Sequence, residues 1–394
     1  MITMRAKPWK AIYLVLIVLV SWLSVSSQFK VQIRLIDIPA SHPADSIFAA
    51  GNFNNWAPGR PEFLFVKNGR NALLEMEGLD SGSYQFKFTR GSWDKVECKP
   101  GGLDIDNHSL LLTSDTVLQY IIPAWKDDFA PVAKTHTVSK NVTILDTAFP
   151  MPQLNRTRRI WIYLPPGYAA GKKRYPVMYM NDGQNIFDEY TAAFGEWGVD
   201  ECLDSLAKKD KRLCIVVGIE NGAQRMTEYN PYEFREFGKG EGDQYVDFIA
   251  NNLKPFIDKH YRTLPSKLNT IIAGSSMGGL ISYYALLKYP AVFGKAGVFS
   301  PAFWTAEKIK DMTVKSGKDL KGKVFFYMGG LEGKNYIEDM KDVTDELGRN
   351  SPALVYAVID PVSSHNEQAW RKWFPEFYTW ITADGFNHVI KLEN

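Results

Sequence analysis

Residues 268–290 read LNTIIAGSSMGGLISYYALLKYP. Ile271, Ile272 and Ala273 make a short apolar strand, Gly274-Ser275-Ser276-Met277-Gly278 a very tight turn, and the remainder a helix closed by Pro290. The turn matches G-x-S-x-G, a sharp strand-to-helix bend that lifts its central hydroxyl, here Ser276, above the sheet. Glycine is needed on either side because a Cβ there collides with the neighbouring strand or helix. The helix aims its N-terminus at Ser276, so free N–H groups and the positive dipole end face the reacting oxygen. An ordinary serine in a glycine-rich loop is the plain alternative; the strand before and the helix after favour a nucleophile.

Around this stretch, strands and helices alternate. Arg159–Tyr163, Tyr175–Met180, Leu213–Ile219, Ala296–Phe299, Val324–Tyr327 and Leu354–Ile359 are apolar runs of the kind that buried parallel strands require. Tyr245, Phe248, Ile249, Leu253 and Phe256 fall at helical spacing across Asp243–Ile257. The pattern predicts an α/β-hydrolase, a doubly wound and mostly parallel sheet with helices on both faces.

A serine nucleophile needs a neutral imidazole to take its proton. In this fold the chain order is serine, acid, histidine. Of six histidines, only His365 and His388 follow the elbow, and His388 lies in the last seven residues. His365 follows an apolar strand on the loop where the fold carries its base. The acid that orients it is Glu332, in Gly329-Gly330-Leu331-Glu332-Gly333 at a strand's carboxyl end; Asp360, ending the next strand, and a dyad with no acid are the alternatives. Met277 N–H and Gln184 N–H, the latter in Asn181-Asp182-Gly183-Gln184-Asn185, are the candidate oxyanion donors, with Gly183 letting the backbone turn inward. Trp370, Trp373, Phe374, Phe377 and Ile381 read as a core-facing helix that Pro375 breaks or restarts.

Upstream, residues 28–125 show apolar/polar alternation in Val31–Leu35 and Tyr84–Phe88 between turn clusters, the pattern of an all-β, immunoglobulin-like sandwich. Residues 126–134 read as a polar linker and 135–394 as the α/β domain. Residues 1–27 carry Arg5, Lys7 and Lys10, an apolar run from Ala11 to Val20 and the small residues Ser24–Ser27, so a cleaved export signal is expected, with a retained anchor as the alternative. Export puts the mature chain in the periplasm, at the cell surface or in the medium, off the membrane once cleaved. The 394 residues carry a net charge of +2, which gives no reason to expect nucleic acid as a partner. Three scattered cysteines exclude a disulfide framework. No metal-ligand spacing and no phosphate-binding glycine loop is present, so neither metal nor cofactor is expected.

Two resemblances sharpen this reading. Ala50–Trp56 and Phe86–Trp93 resemble starch- and glycogen-binding modules, in which exposed rings stack on sugar faces; Trp56 stands at the position of the signature tryptophan, and Trp93 lies near the second aromatic position. A core or hinge tryptophan is the other reading of each. Tyr179–Asn185, Arg225–Tyr229, Gly274–Leu280, Ser300–Trp304 and His365–Trp370 together resemble the esterase D family, which includes feruloyl and acetyl xylan esterases of carbohydrate esterase family one and siderophore trilactone esterases. The resemblance implies a serine carboxyl-ester hydrolase acting on an acylated carbohydrate or another small ester. It places Arg225, Glu228 and Trp304 at the pocket, where a surface ion pair and a packed aromatic are the plainer alternatives. A siderophore trilactone esterase and a glycan-binding protein with a silent esterase domain remain the competing functions.

Overall fold

The structure, a computed structural model, describes residues 28–383 apart from 55, 106, 131–133, 210, 211 and 236. The expected export signal, the middle of the linker and His388 therefore lie outside the described residues. No helix among the described residues is long and apolar enough to cross a membrane.

The N-terminal strands are β1 (Gln28–Asp37), β2 (Phe48–Gly51), β3 (Val66–Asn68), β4 (Asn71–Asp80), β5 (Gly82–Thr89), β6 (Glu97–Cys98), β7 (His108–Leu112), β8 (Thr116–Ile121) and β9 (Ala124–Trp125). They form a sheet ordered β3-β4-β1-β8, a second ordered β2-β5-β7 and a small β6-β9 pair. Alternation along β1 sends Val31, Ile33 and Leu35 inward to meet Leu74, Met76, Phe86, Phe88 and Trp125 in one core. The other face of each strand is left for solvent or for a neighbour.

The second domain is built on β10 (Val142–Met151), β11 (Arg156–Tyr163), β12 (Val177–Asn181), β13 (Ile215–Ile219), β14 (Thr270–Ser275), β15 (Lys295–Phe299), β16 (Lys323–Gly329) and β17 (Leu354–Asp360). Their order in space is β10-β11-β13-β12-β14-β15-β16-β17. β10 and β11 join antiparallel and the remainder run parallel. Helices α1 (Val199–Ala207), α2 (Arg225–Glu228), α3 (Gly242–Phe248), α4 (Lys254–His260), α5 (Met277–Lys288), α6 (Lys308–Gly317), α7 (Lys334–Asn350) and α8 (Glu367–Thr382) complete it.

Period-two alternation sorts the sheet's side chains between two cores. Ile272, Val298 and Phe326 pack with α3 to α7 on one face. Ile271, Phe299 and Phe325 pack with α1 and α8 on the other. The sheet is buried on both sides, which is why its strands read as unbroken apolar runs.

The helix expected across Asp243–Ile257 is present with one irregularity, and the reading of Pro375 is corrected. α3 and α4 are one helical rod joined through a π-helical turn, Ile249–Leu253, where the register slips by a residue. Pro375 sits inside an unbroken α8, held by Trp370, Phe374, Phe377, Tyr378 and Ile381, all buried on the same side. Packing outweighs the missing hydrogen bond there.

Candidate active site

The elbow joins β14 to α5. Ser276 has φ 58° and ψ −123°, a strained geometry for a side-chain-bearing residue. It is pinned from both ends: its N–H donates to Phe299 O at 2.9 Å, and its carbonyl accepts from Leu280 N and Ala302 N at 3.1 Å each. Gly274 is required by space, because a Cβ there falls 2.8 Å from the backbone of Gly278.

β16 ends at Gly329, and Glu332 turns back beneath that end, 2 % exposed. Its Oε1 accepts from Gly329 N at 2.7 Å and Ser300 Oγ at 2.5 Å. Its Oε2 lies 2.7 Å from His365 Nδ1. A carboxylate can only accept, so Nδ1 carries the proton and Nε2 keeps its lone pair. The imidazole stands edge-on against Trp370 at 5.1 Å. Trp370 Nε1 in turn donates to Ser300 Oγ at 2.9 Å. Ser300, itself at φ 43°, ties the acid to the ring's support and, through its N–H on Tyr327 O at 2.7 Å, to β16.

Burial of the His365 ring works against its charged form, but the neighbouring Glu332 charge and hydrogen bond outweigh it and Glu367 adds to them, so the imidazole titrates above its ordinary value. Glu367, at the first turn of α8, is pushed up to about 7 by burial, with Asp182 adding to the effect.

Asp360, the competing acid, faces elsewhere. Its carboxylate accepts from Ser363 Oγ at 2.7 Å, Lys372 Nζ at 2.6 Å and Trp373 Nε1 at 2.8 Å. It knots the base of the loop that carries His365.

The loop after β12 places its strain at Asp182, φ 58°, rather than at Gly183. Gly183 is there for room: a Cβ would fall 2.7 Å from Gly218 C and Ile219 N. Arg225 grips Asp182 with both arms, Nε to Oδ1 at 2.7 Å and Nη2 to Oδ2 at 2.8 Å, and Asn221 Nδ2 adds a bond at 2.6 Å. Gln184 Oε1 accepts from Asn221 N at 3.2 Å. Gln184 and Met277 each stand in the first turn of a helix, where the N–H has no helical acceptor. Both candidate donors therefore lie at helix starts.

Glu228, expected at the pocket, is fully buried and accepts from Arg156 and Arg158, with no surface left for a substrate. The sequence pairs charge with a loop but says nothing of depth, and burying this carboxylate requires two arginines from β11, 70 or more residues upstream. Arg225 lies beside the site, but its fork is spent on Asp182. Trp304 is 36 % exposed, edge-on to Phe234 at 5.5 Å and tilted against Tyr336 at 6.2 Å. On the sandwich, Trp93 is exposed and Trp56 half-buried, their rings 6.2 Å apart.

Sequence reading missed Ser300, Asp182 and Glu367. All three lie inside stretches that carried the family resemblance, and their roles rest on backbone angles and burial that no spacing rule encodes.

An α/β-hydrolase whose elbow serine, buried acid and loop histidine follow in this chain order belongs by architecture to the serine hydrolases. Residues 152–379 match the family model described as "Putative esterase", and the chain belongs to that family of carboxylic ester hydrolases. The uncharacterized protein YbbA of Bacillus subtilis (strain 168) is 32% identical over 186 residues, 45% of this chain and 70% of that protein. The endo-1,4-beta-xylanase/feruloyl esterase of Xylanibacter ruminicola is 29% identical over 215 residues, 54% of this chain and 27% of its own length. The enterochelin esterase of Shigella flexneri has TM-score 0.51 at 15% identity, over 85% of this chain and 86% of that one. That likeness is of fold alone, and it extends beyond the hydrolase domain.

Proposed function

We propose that the protein is an exported serine esterase that removes feruloyl or acetyl groups from carbohydrate through an acyl-enzyme on Ser276. One observation carries the catalytic reading: Glu332 holds His365 at Nδ1, which frees Nε2 to act as the base. Ser276 Oγ attacks the ester carbonyl as His365 Nε2 takes its proton. The oxyanion is held by Met277 N–H and Gln184 N–H. The tetrahedral intermediate expels the alcohol, which takes the proton from His365. Water, activated by the same nitrogen, then releases the acid and restores Ser276.

The carbohydrate part rests on two supports. The feruloyl esterase relative is one. The other is the Trp56–Trp93 pair, two rings at one surface of the sandwich and suited to stacking on a sugar. A second reading, a siderophore trilactone esterase, draws support from the fold likeness to the Shigella flexneri enterochelin esterase, which covers 85% of this chain and so takes in more than its hydrolase domain.

A panel of feruloylated oligosaccharide, acetylated xylan and a catechol trilactone, assayed on the full chain, separates the two. Preference for the trilactone overturns the carbohydrate reading. Ser276→Ala should lower turnover on the order of 10⁶-fold; oligosaccharide binding with no turnover of any ester by the unaltered chain leaves a glycan-binding protein instead.

A further inference from the structure

Glu332 rides on a four-residue loop between β16 and α7 that the hydrolase domain holds from one side. The loop's N–H groups are taken by that domain: Gly330 N donates to Asp360 O at 2.7 Å, Leu331 N to Ser363 O at 3.1 Å, and Glu332 N to Gly329 O at 3.2 Å. The same domain holds the Glu332 carboxylate, which accepts from Gly329 N, Ser300 Oγ and His365 Nδ1, but the outer side of the loop is left open. Leu331 is 52 % exposed, and Gly333 stands at φ 125° before α7 begins.

The carbonyls on the other side are held by the sandwich. Gln85, on β5, is 8 % exposed and sends its Nε2 to both Leu331 O and Glu332 O at 3.2 Å. Its own Oε1 accepts from Asn107 Nδ2 at 3.1 Å, which fixes the amide the right way round. Its backbone N–H donates to Asn52 Oδ1 at 3.0 Å, and Asn52 Nδ2 donates to Tyr336 OH at 2.7 Å in the first turn of α7. One primary amide with two hydrogens thus bridges the two carbonyls that bracket the acid. A buried side-chain amide is costly unless every group is paired, and here every one is.

We propose, resting on the serine-esterase reading, that Gln85 is a positioning residue: the sandwich fixes the acid loop from outside the hydrolase domain and thereby sets how Glu332 meets His365. The N-terminal domain then bears on the reaction even for an ester that carries no sugar. Without Gln85 the two carbonyls lose their donor, the loop relaxes toward solvent, and Glu332 Oε2 no longer holds Nδ1 at bonding distance. A displacement of about 1 Å in such a group costs on the order of 10- to 100-fold in rate. His365 also loses the neighbour that raises its pKa, so its proton leaves at lower pH.

The test is kcat, KM and the pH profile on p-nitrophenyl acetate for the full chain, Gln85→Ala, Gln85→Glu and Ser276→Ala, with thermal melting of each. p-Nitrophenyl acetate carries no sugar, so a sugar-binding role for that domain contributes nothing to this readout. The expected result for both Gln85 variants is kcat down on the order of 10-fold or more with KM nearly unchanged, and an acid limb moved to lower pH. Gln85→Glu keeps the shape but turns a donor into an acceptor facing two carbonyls, so it should be as impaired as Gln85→Ala while melting as a folded protein. A folded Gln85→Glu with wild-type kcat and an unmoved acid limb overturns the proposal. If Ser276→Ala keeps full activity, the esterase reading itself falls, whatever the Gln85 variants do.

Discussion

Glu332 Oε2 and His365 Nδ1 lie 2.7 Å apart although 33 residues separate them in the chain, and the carboxylate is 2 % exposed. Neighbouring parallel strands β16 and β17 bring them together, each supplying one partner from its carboxyl end. Glu332→Gln keeps the shape and removes the charge. It should lower kcat by roughly 10⁴-fold, because an amide neither fixes the tautomer nor stabilises the imidazolium. Single-turnover acylation of Ser276 measures this, and an unaltered rate would remove Glu332 from the mechanism.

The acid limb of kcat/KM should lie above the ordinary imidazole value of 6.5. Neutral His365 is the base, so activity rises as pH passes upward through its pKa. Glu332 lifts that pKa, so the limb should move to lower pH in Glu332→Gln. A wild-type limb at or below the ordinary value contradicts the electrostatics described above.

Asp360→Ala should destabilise the chain by about 2 kcal/mol, chiefly through the unpaired Ser363 and Trp373 donors. Lys372 is 55 % exposed, so its share of the pairing is small. Burial opposes the Asp360 charge, but its hydrogen bonds to Lys372, Trp373 and Ser363 win and hold it well below the usual carboxylate range. Its stabilisation is therefore present above the unfolded carboxylate value of 3.8 and lost as pH falls through the lower folded value. Urea midpoints from neutral pH down to about pH 3 should fall more for the wild type than for Asp360→Ala; parallel curves would show that Asp360 carries no such linkage.

Trp304→Ala should raise KM for feruloyl esters by about 3- to 10-fold and leave acetyl esters almost unaffected, because only an aromatic acyl group gains from an exposed ring. Equal loss on both substrates would make Trp304 a packing residue that supports Phe234 and Tyr336.

The parallel strands and the elbow were legible because burial on both faces leaves continuous apolar runs and because the bend demands glycine at fixed offsets. The edge strand β10 was not: Val142–Met151 is interrupted by register shifts around Asp146 and shows neither clean alternation nor a continuous run. The meeting of Glu332 and His365 followed from strand order, whereas the burial of Glu228 depends on Arg156 and Arg158, which carry no mark of their destination. Gln85 is the plainest case. Its alternation on β5 shows that it points away from the sandwich core, but no local pattern says that it meets a loop 246 residues downstream.

The three cysteines are free thiols: Cys98 in β6 of the sandwich and Cys214 just before β13 are buried, and Cys202 on α1 is partly exposed. Burial pushes the Cys202 and Cys214 thiols up to about 11 and about 12. Cys98 and Cys214 therefore give each domain one buried thiol, and alkylation of that thiol becomes a clock for the opening of its own domain. Cys98 labelling ahead of Cys214 would time the sandwich opening before its neighbour does, in a single untagged molecule and without any assay of turnover.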